Sequence, residues 1–99
     1  MIIVGGTLHA QADICDAFYA ALKAGEERSR REDGCLFYHM AMSDRAAGII
    51  IAFEGWRDQA ALEAHLAQPE IAKLQKDFGG KFTADVKIYT VSDARAFGG

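Results

Sequence analysis

The chain has 99 residues, of which 51% are hydrophobic and 25% are charged, and its formal net charge is −3 at pH 7. These values predict one globular domain over residues 1–99 rather than a disordered segment. The acidic balance argues against nucleic acid or an anionic membrane as a partner, because both need a basic surface. No apolar run has the length of a membrane span, and the first residues do not form a signal peptide.

Few residues in the chain suggest a metal site or a disulfide. Cys15 and Cys35 have neither CxxC nor metal-ligand spacing, which predicts free thiols and a cytoplasmic location. The three histidines are far apart and lack matching carboxylates, so the sequence contains no metal-site signature. A phosphate-binding loop and a dinucleotide fingerprint are also missing from the sequence.

The first two predicted elements are a strand and a long helix. Residues 2–9 begin with Ile-Ile-Val, and Gly5 and Gly6 indicate a bulge or a close approach of another group. Residues 11–31 place apolar side chains at three- and four-residue spacing, which predicts an amphipathic helix. Asp13 is the predicted N-cap of this helix.

A hairpin is predicted next. Gly34 ends the helix as a left-handed residue, and residues 35–42 and 49–54 have the composition of strands on either side of a polar turn. Their closeness in sequence predicts antiparallel pairing.

The last predicted elements are two short helices and a strand. Asp58 is the predicted cap of a helix that ends near Gln68, and Pro69 begins another helix, where its missing N–H costs nothing. Residues 82–91 complete the order β-α-β-β-α-β. This is the α+β, ferredoxin-like pattern with an antiparallel sheet, and it leaves residues 92–99 as a short tail.

Both faces of the predicted sheet carry apolar side chains. In the second strand, strict alternation places Leu36, Tyr38, Met40 and Met42 opposite Cys35, Phe37 and Ala41. In the third strand, Ile50 and Ala52 alternate with Ile49, Ile51 and Phe53. The helices cover one face only, so the other is predicted to meet the same face of a second copy in a two-fold homodimer.

Three segments of the chain resemble the antibiotic biosynthesis monooxygenase family. They are EDGCLFYHM, IIIAFEGW and ALEAHLAQPEI. The matching positions, in chain order, are Gly34, Cys35, Tyr38, Glu54, Trp56, Ala61, Leu62, His65 and Pro69. The resemblance extends over about residues 1–91.

The resemblance implies a dimeric α+β barrel with one pocket per subunit, between the helices and the sheet. It also implies oxidation of quinols or phenolic polyketides with O2, without a metal or flavin cofactor. Other relatives degrade haem, and one branch isomerises a phosphorylated signalling molecule. This chain departs from the common pattern at His39 and Glu70, and it lacks the histidine and asparagine of the haem-degrading members, which argues against haem degradation.

His65 and Glu54 are the candidate catalytic residues. Cofactor-free oxygenation needs a group that accepts a proton from the substrate, and a histidine titrates in the suitable range. His65 flanks the apolar positions of its predicted helix, and Glu54 could orient it. The alternatives are structural: a partly buried histidine bonded to a backbone carbonyl or to Glu54, and a glutamate that caps the neighbouring helix.

Trp56 and Tyr38 are the candidate substrate-binding residues. An indole or a phenol can stack on a planar substrate and donate one hydrogen bond to its oxygen. The alternatives are a tryptophan that fills the core and a tyrosine that packs with its hydroxyl satisfied.

These residues predict a cofactor-independent monooxygenase that acts with O2 on a quinol or a polycyclic phenol. Two alternatives stay open. One is an isomerase acting on a small carbonyl compound in the same pocket, and the other is a non-catalytic module for ligand binding or assembly.

Overall fold

The computed structural model describes residues 1–98. In chain order its elements are β1 (Ile2–Ala10), α1 (Cys15–Arg30), β2 (Cys35–Asp44), β3 (Ile49–Trp56), α2 (Gln59–Leu66), α3 (Pro69–Phe78) and β4 (Phe82–Thr90). The strands form one antiparallel sheet in the order β2-β3-β1-β4. The ferredoxin-like α+β prediction is therefore confirmed, including the hairpin and the second helix divided at Pro69.

The hydrophobic core lies between the helices and one face of the sheet. Alternate residues of β1 and β3 supply its floor, among them Val4 and Ile50. From α1, Phe18 is 1% exposed and stacks on Phe82 of β4, with ring centroids 4.5 Å apart. Burying an aromatic ring of this kind stabilises the fold by about 1.5–3 kcal/mol.

The start of α1 differs from the prediction. The helix begins at Cys15, and its N-cap is Ile14, which offers no side-chain hydrogen bond. Asp13 does not cap the helix, because its carboxylate accepts a hydrogen bond from the Lys81 ammonium at 2.6 Å. An ion pair between distant parts of the chain has thus replaced the local cap.

The connection between α1 and β2 also differs in detail. Gly34 has the predicted positive φ, 85°, but the helix already ends at Arg30, so Gly34 closes the turn that follows. The pairing of β2 with β3 shifts between Cys35 and Phe37. This irregularity breaks the predicted alternation, and Leu36 is 52% exposed instead of sharing the core face with Tyr38.

The sheet face away from the helices carries several exposed apolar side chains. They include Ile51, Phe53 and Tyr89, which are 43%, 46% and 50% exposed. On this face the Phe37 ring lies over Gly55, so that a Cβ atom at position 55 would clash with the ring. The prediction that both faces are apolar is confirmed for β3. We call this surface the open face.

No helix within residues 1–98 is long and apolar enough to cross a membrane. Residues 91–98, which follow β4, contain no helix or strand, and Phe97 is fully exposed. The predicted tail over residues 92–99 includes position 99, which lies outside the described residues.

Candidate active site

Three of the four predicted site residues form one aromatic cluster at the end of the core. The ring centroids of Trp56 and His65 are 4.6 Å apart, those of Tyr38 and His65 5.4 Å, and those of Tyr38 and Trp56 6.4 Å. All three side chains are buried: Tyr38 is 6% exposed, Trp56 0% and His65 3%. The sequence therefore identified residues that do lie together.

Local structure explains why α2 turns His65 inward. The Asp58 side chain accepts a hydrogen bond from the backbone N–H of Ala61 at 2.9 Å, which fixes the first turn of α2. Ala61 and Leu62 then face the core, with Leu62 only 1% exposed. His65 follows at the three- and four-residue spacing that places a side chain on the same helical face.

His65 is held by Glu32, a residue that the sequence analysis did not identify. Nδ1 of His65 lies 2.9 Å from Oε2 of Glu32 and 3.2 Å from Oε1. Because an ionised carboxylate only accepts hydrogen bonds, Nδ1 is the donor, and the lone pair of the neutral ring is on Nε2. The two residues are 33 positions apart, so no local pattern in the sequence could have revealed the pair.

Glu54 lies on the same face of the sheet as Tyr38 and Trp56, and it is hydrogen-bonded to Trp56. The indole Nε1 donates to Oε1 of Glu54 at 3.0 Å, and Glu54 is only 7% exposed. Burial raises the pKa of Glu54 above its ordinary value, although the hydrogen bond from Trp56 and the nearby His65 oppose this rise. Glu54 thus anchors the indole directly, and the partner that accepts the hydrogen bond from His65 is Glu32 instead.

The raised pKa of Glu54 predicts how stability depends on pH. A carboxyl whose pKa is higher in the folded than in the unfolded state favours folding below its ordinary pKa, and that advantage is lost as the pH rises through the folded value. We therefore expect Glu54→Gln to be more stable than the wild type at pH 8, with the difference disappearing near pH 4. Urea unfolding at both pH values measures this. The exposed Glu63→Gln is the control, and a Glu54→Gln advantage that grows as the pH falls would contradict the assignment.

Tyr38 is fixed in place by α1, which covers the outer edge of β2. Lys23 Nζ donates to the Met40 carbonyl at 3.1 Å, Arg30 Nε donates to the Tyr38 carbonyl at 2.9 Å, and the Met40 N–H donates to Glu26 at 2.6 Å. Burial alone would raise the pKa of Glu26, but the Met40 N–H and the two cations outweigh it and lower that pKa. The sequence analysis did not identify Glu26 or Arg30 as partners of β2, because these contacts arise only when α1 packs against the edge of the sheet.

A cavity of about 290 Å³ lies between α1 and α3 and reaches Tyr38. Its walls include the small residues Ala21, Ala24 and Gly25 on α1, and Ile71 and Leu74 on α3. Burial raises the pKa of the Tyr38 hydroxyl well above its ordinary value, so this phenol stays protonated at neutral pH and can donate a hydrogen bond. We call this space the α1–α3 cavity.

A second recess, of about 390 Å³, lies beside α2 and is bordered by His65, Glu32 and Arg57. The aromatic cluster is situated between the two spaces, because Tyr38 borders the first and His65 borders the second. Trp56 and Glu54 border neither of them. Within residues 1–98 we find no group of three or more His, Cys, Asp or Glu side chains arranged to hold a metal ion.

The family model for antibiotic biosynthesis monooxygenases matches residues 1–77, which covers β1 to α3 and all four predicted site residues. The chain belongs to the antibiotic biosynthesis monooxygenase family. The resemblance identified from short sequence segments is thereby confirmed.

Solved structures share the fold of this antibiotic biosynthesis monooxygenase domain over nearly its whole length. A Deinococcus radiodurans protein assigned as an antibiotic biosynthesis monooxygenase is 27% identical, with a TM-score of 0.84 and 100% coverage of both chains. Rv0793 from Mycobacterium tuberculosis is 25% identical, with a TM-score of 0.81 and coverage of 96% of this chain and 98% of that one.

Among curated proteins, the uncharacterised Synechocystis protein sll1783 is 30% identical over 97 residues. The match covers 95% of this chain but only 65% of that relative's length. The likeness therefore concerns the antibiotic biosynthesis monooxygenase domain and leaves about a third of the relative unmatched.

Proposed function

We propose that the protein is a cofactor-independent monooxygenase that oxidises a quinol or a polycyclic phenol with O2. The observation that carries this proposal is the α1–α3 cavity, whose apolar walls lead to a buried phenol in contact with an imidazole. Ligand sites commonly combine apolar walls with a few polar groups in this way. The cavity volume, about 290 Å³, is at the lower end of the range for ligand sites. This size favours a substrate with a single ring or with two fused rings.

The proposed chemistry begins with removal of a proton from the substrate. The resulting anion is electron-rich and passes an electron to O2, which needs neither a metal nor a flavin. Tyr38 donates a hydrogen bond to the substrate oxygen and stabilises the anion. His65 borders the recess beside α2 and not the cavity, so in this proposal it takes up the proton through Tyr38: the Tyr38 hydroxyl gives its proton to His65 and receives the proton of the substrate. Glu32 orients the His65 ring so that Nε2 is the basic nitrogen.

Trp56 and Glu54 have supporting roles in this proposal. Trp56 packs on the His65 ring and closes the back of the site, while Glu54 holds the indole through its hydrogen bond. The prediction that Glu54 orients His65 is replaced by a proposal in which Glu54 acts through Trp56.

Oxygen uptake with a panel of naphthoquinols and hydroxynaphthalenes tests this function. We expect uptake above the rate of spontaneous oxidation, in buffer treated with a chelator and without added flavin. Uptake at the background rate for every compound would overturn the proposal. Substrate consumption that continues under nitrogen would indicate isomerisation in the same pocket instead of oxygenation.

The proposal includes a two-fold homodimer formed through the open face. The open face is apolar because it carries the exposed side chains Ile51, Phe53 and Tyr89. In a monomer these side chains would be in contact with water, whereas a dimer would bury them. A cytoplasmic location is part of the same proposal, and the free thiols of Cys15 and Cys35 support it.

We expect Phe53→Lys to disrupt the dimer, because the substitution places a charge in the centre of the apolar contact. In sedimentation equilibrium the wild type should have twice the chain mass of 10.8 kDa, and the variant should approach the mass of one chain. Leu66→Lys is the matched control, since Leu66 is 53% exposed but belongs to α2. A wild type that sediments with the mass of a single chain would contradict the dimer.

A further inference from the structure

Glu70, the second residue of α3, has a carboxylate without a hydrogen-bond partner in the described part of the chain. Its Oε2 atom is enclosed by protein and accepts no hydrogen bond. Its Oε1 atom lies 4.0 Å from Nε of Arg28, which is beyond hydrogen-bond distance. By contrast Asp77, near the other end of α3, accepts a hydrogen bond from Lys73 at 2.7 Å. Glu70 therefore retains hydrogen-bonding capacity that the other acidic residue on this helix has used.

This carboxylate is at the polar end of the α1–α3 cavity. The two helices pack in opposite directions, because Phe18 contacts Phe78 while Arg28 faces Glu70. Four of the six polar side chains that border the cavity lie where α1 ends and α3 begins: Arg28, Ser29, Tyr38 and Glu70. The other two, Lys73 and Asp77, lie further along α3 and are hydrogen-bonded to each other.

We propose that Glu70 determines specificity in this cavity by accepting a hydrogen bond from a hydroxyl group on an aromatic ligand. The inference rests on the proposed function, because it assigns the ligand to the same cavity. An enclosed carboxylate oxygen without a donor costs free energy, and a ligand hydroxyl supplies that donor after a small rotation of the half-exposed side chain. A quinone or an ether has only acceptor oxygens, which the carboxylate repels. Glu70 thus favours the reduced, hydroxylated form of a ligand over its oxidised or methylated form.

Equilibrium dialysis under nitrogen tests this selection without any turnover. The probes are 2-naphthol and 2-methoxynaphthalene, which have the same ring system but differ in the ability to donate a hydrogen bond. Because a hydrogen bond to a charged group is a strong one, we expect the wild type to bind the naphthol about tenfold to a hundredfold more tightly. Glu70→Met has a side chain of similar length without charge and should bind both probes equally.

Two further variants sharpen the result. Glu63→Met makes the same change at an exposed position of α2 and should keep the wild-type preference. Glu70→Gln offers an amide N–H to the ether oxygen of 2-methoxynaphthalene, so the difference in affinity between the two probes should become smaller. This variant should fold as the wild type does.

Several outcomes would overturn the inference. They are equal binding of the two probes by the wild type, an unchanged preference in Glu70→Met, and no binding of either probe. The second would show that Glu70 only provides a negative charge in the first turn of α3, where helices commonly carry one. The third would show that the cavity does not take up an aromatic ligand of this kind. The proposed function can fail while this inference holds. In that case the preference for naphthol is lost in Glu70→Met, which upholds the role of Glu70, but no compound gives oxygen uptake, which overturns the monooxygenase.

Discussion

Replacing Trp56 with alanine is expected to lower the free energy of unfolding by about 3–5 kcal/mol. The indole is 0% exposed and packs on the His65 ring, so its removal leaves a cavity that the surrounding strands and helices cannot fill. It also removes the hydrogen bond that the indole N–H donates to the buried Oε1 of Glu54. A domain of this size has a total stability of about 5–15 kcal/mol, and urea unfolding followed by circular dichroism measures the loss.

Leu66→Ala is the control for this measurement. Leu66 is 53% exposed, so its truncation should change stability by about 0.5 kcal/mol or less. Equal urea midpoints for Trp56→Ala and the wild type would show that the indole is not a core residue. Because Trp56→Ala damages the core, its effect on activity does not report on substrate contact. Trp56→Phe keeps an aromatic ring and is the better variant for that question.

Local sequence patterns predicted most of the fold because the elements obey local rules. Apolar periodicity identified the strands and helices, Asp58 capped α2 and Pro69 opened α3 as expected. The errors occur where distant parts of the chain intervene. Asp13 pairs with Lys81 instead of capping α1, and the irregular pairing after Cys35 exposes Leu36. Neither interaction is visible within a window of neighbouring residues.

The candidate site was predicted less completely than the fold. The sequence identified Tyr38, Trp56 and His65, and the structure brings their rings together. It did not identify Glu32, because a histidine and a glutamate 33 residues apart become partners only when α2 packs against the turn between α1 and β2. It noted Glu70 only as an unusual residue after Pro69, since the shape of the cavity depends on how α1 and α3 cross.

His65→Ala is expected to slow oxygen uptake by about a hundredfold to ten-thousandfold, which is the usual contribution of a positioned general base. The same variant removes the partner of Glu32, so a loss of activity alone would not separate catalysis from structure. His65→Asn makes that separation, because its amide N–H replaces Nδ1 as a donor to Glu32 while the side chain has no basic nitrogen.

The two hypotheses for His65 therefore predict different patterns across these variants. If the imidazole is the base, His65→Asn is as slow as His65→Ala although it unfolds at a urea concentration closer to that of the wild type. Glu32→Gln still accepts from Nδ1 but loses the negative charge, so it should be slowed less than either. Restoration of activity in His65→Asn would show that His65 is a structural residue. In that case the proton acceptor must border the α1–α3 cavity, where Glu70 has the free carboxylate.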